Sequence, residues 1–235
     1  MNDSLTDRVI RPVRPRQGGP PLAVVAGVSL VLLVAGLAVG VALGGVMPLP
    51  YGAGAAIQDY VVDHHAAVRA CAIGVFASAV PLGIYAATAS ARLRQLGVTA
   101  PGATIALAGG VLASGALGLS GLLAWTLSQP EVTSDATLVR ALYYLTFLTG
   151  GPAHIVALGL LIAGIAVPSL IIGLLPRPLA WAGLVLAAIA EITTLVLIWP
   201  ALSPLLPIAR ISGLIWLIAA GAMLPLRRPR KESAR

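Results

Sequence analysis

Residues 21–46 contain no charged side chain. A chain must hide a run of that kind in a large core or in a bilayer. A membrane-crossing helix needs about 20 predominantly apolar residues, and comparable runs recur at 67–91, 102–127, 152–175, 179–199 and 205–226. The 235-residue chain is 58% hydrophobic and 10% charged, with a mean hydropathy of +0.96. Soluble globular domains do not reach such values. The pattern predicts an all-α, polytopic membrane helix bundle with six transmembrane helices over residues 21–226. A mobile basic tail (1–20) precedes it and a second basic tail (227–235) follows.

The formal net charge is +7, but the basic residues sit in short flanks of the apolar runs, so topology explains them and nucleic acid does not. With both termini in the cytoplasm, Arg8, Arg11, Arg14, Arg16, Arg92, Arg94, Arg177 and the C-terminal basic cluster fall inside. Only Arg69, Arg140 and Arg210 fall outside. Trp125, Trp199, Tyr51 and Tyr60 then mark the outer interface, and Trp181 and Tyr85 the inner one. The expected location is the cell membrane, crossed several times, with anionic lipid headgroups against the basic tails. The first apolar run is too long for a signal-peptide core and reads as an uncleaved anchor.

Apolar character continues from Leu138 to Leu175, about 57 Å of helix at 1.5 Å per residue, which one upright crossing cannot absorb. "TGGPAH" interrupts it, with Pro152 suited to the first turn of a new helix. Residues 134–148 therefore read as an outer interfacial helix, N-capped by Ser134; a single long kinked helix is the rival. Gly36, Gly40 and Gly44, and likewise Gly110, Ser114 and Gly118, recur every four residues. Small faces of this kind let helix backbones approach closely.

Candidate site residues concentrate in the outer half. Glu191 is the only acid within a crossing, about 12 Å below Trp199 by helical rise, and the cost of a charge there predicts that it faces the interior, finds a partner or takes a proton. Arg69, Arg140 and Arg210 could form an outer positive ring for an anionic ligand; snorkelling to the interface accounts for the same three residues. His154 with His64 or His65 could hold at most one b-type haem. Adjacent histidines point about 100° apart on a helix, so no metal site is assigned. "VVDHHAAVRACAIG" reads as the outer rim of the second helix, with Asp63, His64 and His65 at the water boundary. Cys71, the single cysteine, forms no intramolecular disulfide.

"GLSG" (118–121) and "AHIVALG" (153–159) resemble the serine and histidine motifs of rhomboid intramembrane proteases, which implies a Ser120–His154 dyad. The chain departs from that family at Ala157, where a glycine is usual, in lacking a Trp-Arg pair in the first outer loop, and in lacking the helix that normally separates the two motifs. "AHIVALGLLIAG" followed by "LLPRPLAWAGLVLAAIAE", with Pro176, Arg177 and Gly183, resembles the bacterial six-helix membrane proteins catalogued as domain of unknown function 4386 over the last third of the chain. That resemblance implies a six-helix fold in a bacterial inner membrane and carries no activity. No P-loop, dinucleotide fingerprint, HExxH or paired CxxC is present.

The expectation is a non-enzymatic bundle without cofactor that binds or moves a small solute, or modulates a partner, through a polar outer-half cavity near Glu191, His154 and the outer arginines. Its partners are the bilayer and a second copy or another membrane protein. A haem redox protein and an intramembrane serine hydrolase are the alternatives.

Overall fold

A computed structural model describes residues 19–52, 54–99 and 101–226. Most of the proposed N-terminal tail and all of the C-terminal one lie outside the described residues. Among the described residues the chain is helical, without strands. Its elements are α1 (Leu22–Gly44), α2 (Gly54–Asp63), α3 (His65–Gln95), α4 (Gly102–Leu127), the short α5 (Pro130–Thr133), α6 (Ala136–Leu148), a π-helical turn (Thr149–Ala153), α7 (His154–Ile172), α8 (Arg177–Ile192), two 3-10 turns (Thr193–Leu197 and Pro200–Leu202) and α9 (Leu205–Met223). Six stretches of these are long and apolar enough to cross a membrane: Leu22–Gly44, His65–Gln95, Gly102–Leu127, Ala136–Ile172, Arg177–Leu197 and Pro200–Met223.

The crossings alternate in direction around a ring. Gly36 lies on Gly74 and Gly44 on Ala67, so α1 and α3 are antiparallel. Ser90 donates to the Ala103 carbonyl at 2.7 Å and Gly121 abuts Phe76, which sets α4 antiparallel to α3. Gly164 against Ala106 and Gly109 against Leu161 do the same for α4 and α7. Gly159 meets Ala190 while Gly183 meets both Ala166 and Trp216, joining α7 to α8 and α8 to α9. Finally Gly221 of α9 packs on Leu22 and closes the ring on α1. Both ends of the bundle, residues 22 and 223, therefore lie at one end, called here the terminal end; the opposite end is the distal end.

The small-residue faces act as packing faces. At Gly36, Gly40, Gly44 and Gly110 the facing backbone or side chain occupies the space of the missing Cβ, which gives dispersion contact without a hydrophobic drive from water. Across the ring, the Tyr85 hydroxyl donates to the Leu217 carbonyl at 3.0 Å, so Tyr85 is a buried core residue and not an interfacial belt residue. Trp125, Trp181 and Trp199 do face outward.

The long fourth run resolves in favour of one kinked helix. α6 lies along the distal half of α4: Ser120 donates to the Thr146 carbonyl at 2.9 Å, and Leu127 clusters with Val139 and Tyr143. Gly151 leaves helical geometry (φ −89°, ψ −106°) within the π-helical turn. Pro152 supplies no N–H to the turn before it, and two glycines tolerate the change of direction, which together account for the break. The N-cap of α6 is Asp135 and not Ser134. Its Oδ1 accepts from the Thr137 and Leu138 amides at 2.8 and 3.2 Å. A carboxylate one residue nearer to those orphan amides outcompetes the serine hydroxyl.

Candidate functional site

The π-helical turn sets a carbonyl free. In an unbroken α-helix the His154 amide would bond to Gly150, but here it reaches Thr149 and Gly151. Gly150 keeps an unclaimed acceptor, and the Arg210 guanidinium on α9 donates to it. Gly150 has no Cβ because Ser120 of α4 occupies that space, and a Cβ on Gly151 would come 3.2 Å from Leu206. These two glycines thus seat the kink between α4 and α9.

Arg210 borders a cavity of about 410 Å³ at the distal end of the bundle. Leu37 of α1, with Met47 and Leu49 beyond it, forms one side; Ser203, Pro204, Leu206, Pro207 and Arg210 at the start of α9 form the other; Ser120, Tyr143, Thr146, Phe147 and the two glycines complete it. The shape follows from the ring: α1 and α9 touch where Gly221 meets Leu22, near the terminal end, and the cavity separates them distally. The Tyr51 ring stands edge-on to Phe147 and Tyr144, with centroids 5.6 and 6.1 Å away, at the rim.

Most polar groups of this cavity are already satisfied. Ser120 donates to Thr146, and Tyr143 donates to the Pro48 carbonyl. Two groups are buried without a partner, Thr146 Oγ1 and Arg210 Nε. Arg210 spends one donor on Gly150 out of the five that a guanidinium carries, and no carboxylate lines the cavity. A cation held this way requires a counter-charge that the lining residues do not supply.

Other predicted site residues are placed elsewhere. Arg69 and Arg140 are exposed, so the three arginines form no ring and only Arg210 enters the bundle. Their common spacing reflects hairpin length, while the face each side chain takes depends on its own helix. Glu191 is likewise not inside: it is exposed on α8, in a separate lateral groove with Leu148, Pro152, Ala153, Val156, Leu160 and Thr194, and no arginine lines that groove. The π-helical turn stands between the two sites, giving Gly150 and Gly151 to one and Pro152 and Ala153 to the other.

His154 is fully buried, and its Nδ1 pairs with the Ala113 carbonyl at 2.9 Å, with Nε2 unpartnered. Ser120 and Ala113 stand seven residues apart on α4, about 10 Å by helical rise, and Ser120 is spent on Thr146. The serine and histidine therefore hold different partners two turns apart and form no dyad. Asp63 and His65 are exposed and His64 half-buried at the α2–α3 junction, where the His64 ring lies 5.0 Å from that of Tyr60. Partial burial holds the Tyr60 phenol above its ordinary range. Gly44 packs on the His64 side chain, so this histidine belongs to the α1–α3 contact, not to a pair with His154. Among the described residues no cluster of three or more His, Cys, Asp or Glu could hold a metal ion.

Sequence reasoning missed the pairing of Arg210 with a freed carbonyl. "TGGP" and "IARIS" each carry half of it, but nothing in the sequence links positions 60 residues apart. No family model, curated protein or solved structure matches this chain.

Proposed function

We propose that the protein is a non-enzymatic membrane binding protein whose distal cavity takes a small amphiphile with a single anionic headgroup. The unneutralised Arg210 guanidinium in an otherwise apolar cavity carries this reading. A carboxylate or phosphate would complete the donor set of Arg210 and Thr146, and apolar walls would take its tail. A cavity of about 410 Å³ falls at the small end of ligand sites, which run about 300–1,000 Å³.

The arginine bias supports cytoplasmic termini, with the distal cavity opening toward the outer leaflet. The resemblance of the last third of the chain to a bacterial six-helix family supports a bacterial inner membrane as its home.

The test is retention of radiolabelled decanoate by the protein in phosphatidylcholine nanodiscs, against empty nanodiscs, with decanol as the uncharged control. A hydrogen bond to a charged group contributes about 1.5–3 kcal/mol, so Arg210→Gln should weaken decanoate binding about 10- to 100-fold and leave decanol unchanged. Equal retention of acid and alcohol by the unaltered protein removes the proposal.

A further inference from the structure

The lateral groove between α4, α7 and α8 has a composition opposite to that of the distal cavity. It encloses about 740 Å³, its walls are Leu112, Ala116, Val156, Leu160 and their neighbours, and its sole ionisable lining group is Glu191. The carboxylate lies against α7: a Cβ added to Gly159 would come within 3.6 Å of Glu191 Oε1. Ala190, whose Cβ would stand 2.6 Å from that added Cβ, makes the close approach at Gly159, and the carboxylate sits beside it at ordinary contact distance. Only Thr194 adds another polar side chain.

Glu191 falls within the apolar stretch Arg177–Leu197, where an ionised carboxylate without a counter-charge costs several kcal/mol. None of the groove-lining residues from α4, α6, α7 and α8 supplies that charge. An occupant carrying one cationic centre on an apolar body would meet both requirements, charge at Glu191 and burial against the aliphatic walls. An acyl chain would meet only the second. The groove volume also lies within the range for drug-sized ligands, whose sites are mostly apolar with few placed polar groups.

We infer that the lateral groove binds a hydrophobic organic cation, with Glu191 as its counter-ion. This site is separate from the Arg210 cavity and does not rest on the anion reading.

The probe is tetraphenylphosphonium, measured by equilibrium binding to the whole protein in phosphatidylcholine nanodiscs, with uncharged tetraphenylmethane as control. The unaltered protein should bind the cation saturably and the hydrocarbon at least tenfold more weakly. Glu191→Gln should weaken cation binding at least tenfold, while Glu131→Gln, which removes an exposed acid on α5 away from the groove, leaves it unchanged. Ala153→Phe, which fills the groove without altering charge, should also weaken it. If Glu191→Gln does not fold, Ala153→Phe and the two-probe comparison on the unaltered protein still decide. Equal binding of cation and hydrocarbon, or full cation binding by folded Glu191→Gln or Ala153→Phe, overturns the inference and leaves Glu191 as a side chain without a ligand role.

Discussion

Replacing Gly74 by alanine should separate α1 from α3. A Cβ at Gly74 would stand 2.9 Å from the Leu32 carbonyl oxygen and 3.0 Å from the Gly36 amide nitrogen, and it would overlap the Gly36 Cα. All three are backbone atoms and cannot rotate aside, so the helices must move apart by several tenths of an ångström along a shared face. Overpacking of that kind costs about 1–3 kcal/mol. At about 2–4 °C per kcal/mol for a chain of this size, the melting temperature should fall by about 2–12 °C. Gly27 and Gly115 serve as controls, since a Cβ there meets nothing within 4 Å. At those two positions alanine gains about 0.5–1 kcal/mol of helix preference and should hold or raise the melting temperature. The chain contains its own reporter, because Cys71, the single cysteine, is half-buried on the same contact, where Gly40 packs on its sulfur. Thermal unfolding in detergent can be followed by a thiol-reactive fluorophore at Cys71 and checked by circular dichroism. If Gly74→Ala melts with Gly115→Ala, α1 does not pack on α3 through its glycine face.

Removing the α6 cap with Asp135→Ala should cost about 0.5–2 kcal/mol locally and speed hydrogen exchange at the Thr137 and Leu138 amides, with little change at α9. His154→Ala removes a fully buried side chain and its bond to Ala113, so a loss of about 2–4 kcal/mol is expected; an unchanged melt would show that His154 is not in the core. Gly150→Ala sets a methyl into the space of the Ser120 side chain and should weaken decanoate binding through displacement of the kink, whereas Gly115→Ala should not. For orientation, a fluorescent-protein fusion at the C terminus should light up in the bacterial cytoplasm and an alkaline phosphatase fusion there should stay inactive; the reverse pattern overturns the charge argument.

Apolar runs were the most legible part of the chain, because a bilayer demands length and hydrophobicity of each helix separately, and both are local properties. Glycine spacing was legible too: Gly36, Gly40 and Gly44 had to share a face whatever they met, and they meet α3. Local sequence was less decisive where two neighbours compete. Ser134 and Asp135 are both good caps, and backbone direction chose the carboxylate. The stretch 134–148 reads as a separate outer helix, with a kinked continuous helix as the rival, and the structure has the kinked run Ala136–Ile172 with α6 packed on α4.

The site itself was half visible. Each polar residue in an apolar run could be flagged from its cost, and Arg210 and Glu191 were. Their grouping into one outer-half cavity was not correct, because depth along a helix is readable from residue count while the direction a side chain faces around the bundle is not. Arg69 and Arg140 point outward, whereas Arg210 reaches Gly150 beside Ser120, and Glu191 opens on a groove of its own.

By itself, then, the sequence determined six membrane-length helices, their small-residue contact faces and the break at "TGGP", all consequences of periodicity and backbone chemistry within one segment. The tertiary structure alone decided what the break is for. The π-helical turn leaves one carbonyl unclaimed, and the closing of the ring brings α9 against it, so Arg210 finds a hydrogen bond but no counter-charge. That outcome depends on which helices become neighbours, and a linear pattern of apolar residues contains no such information.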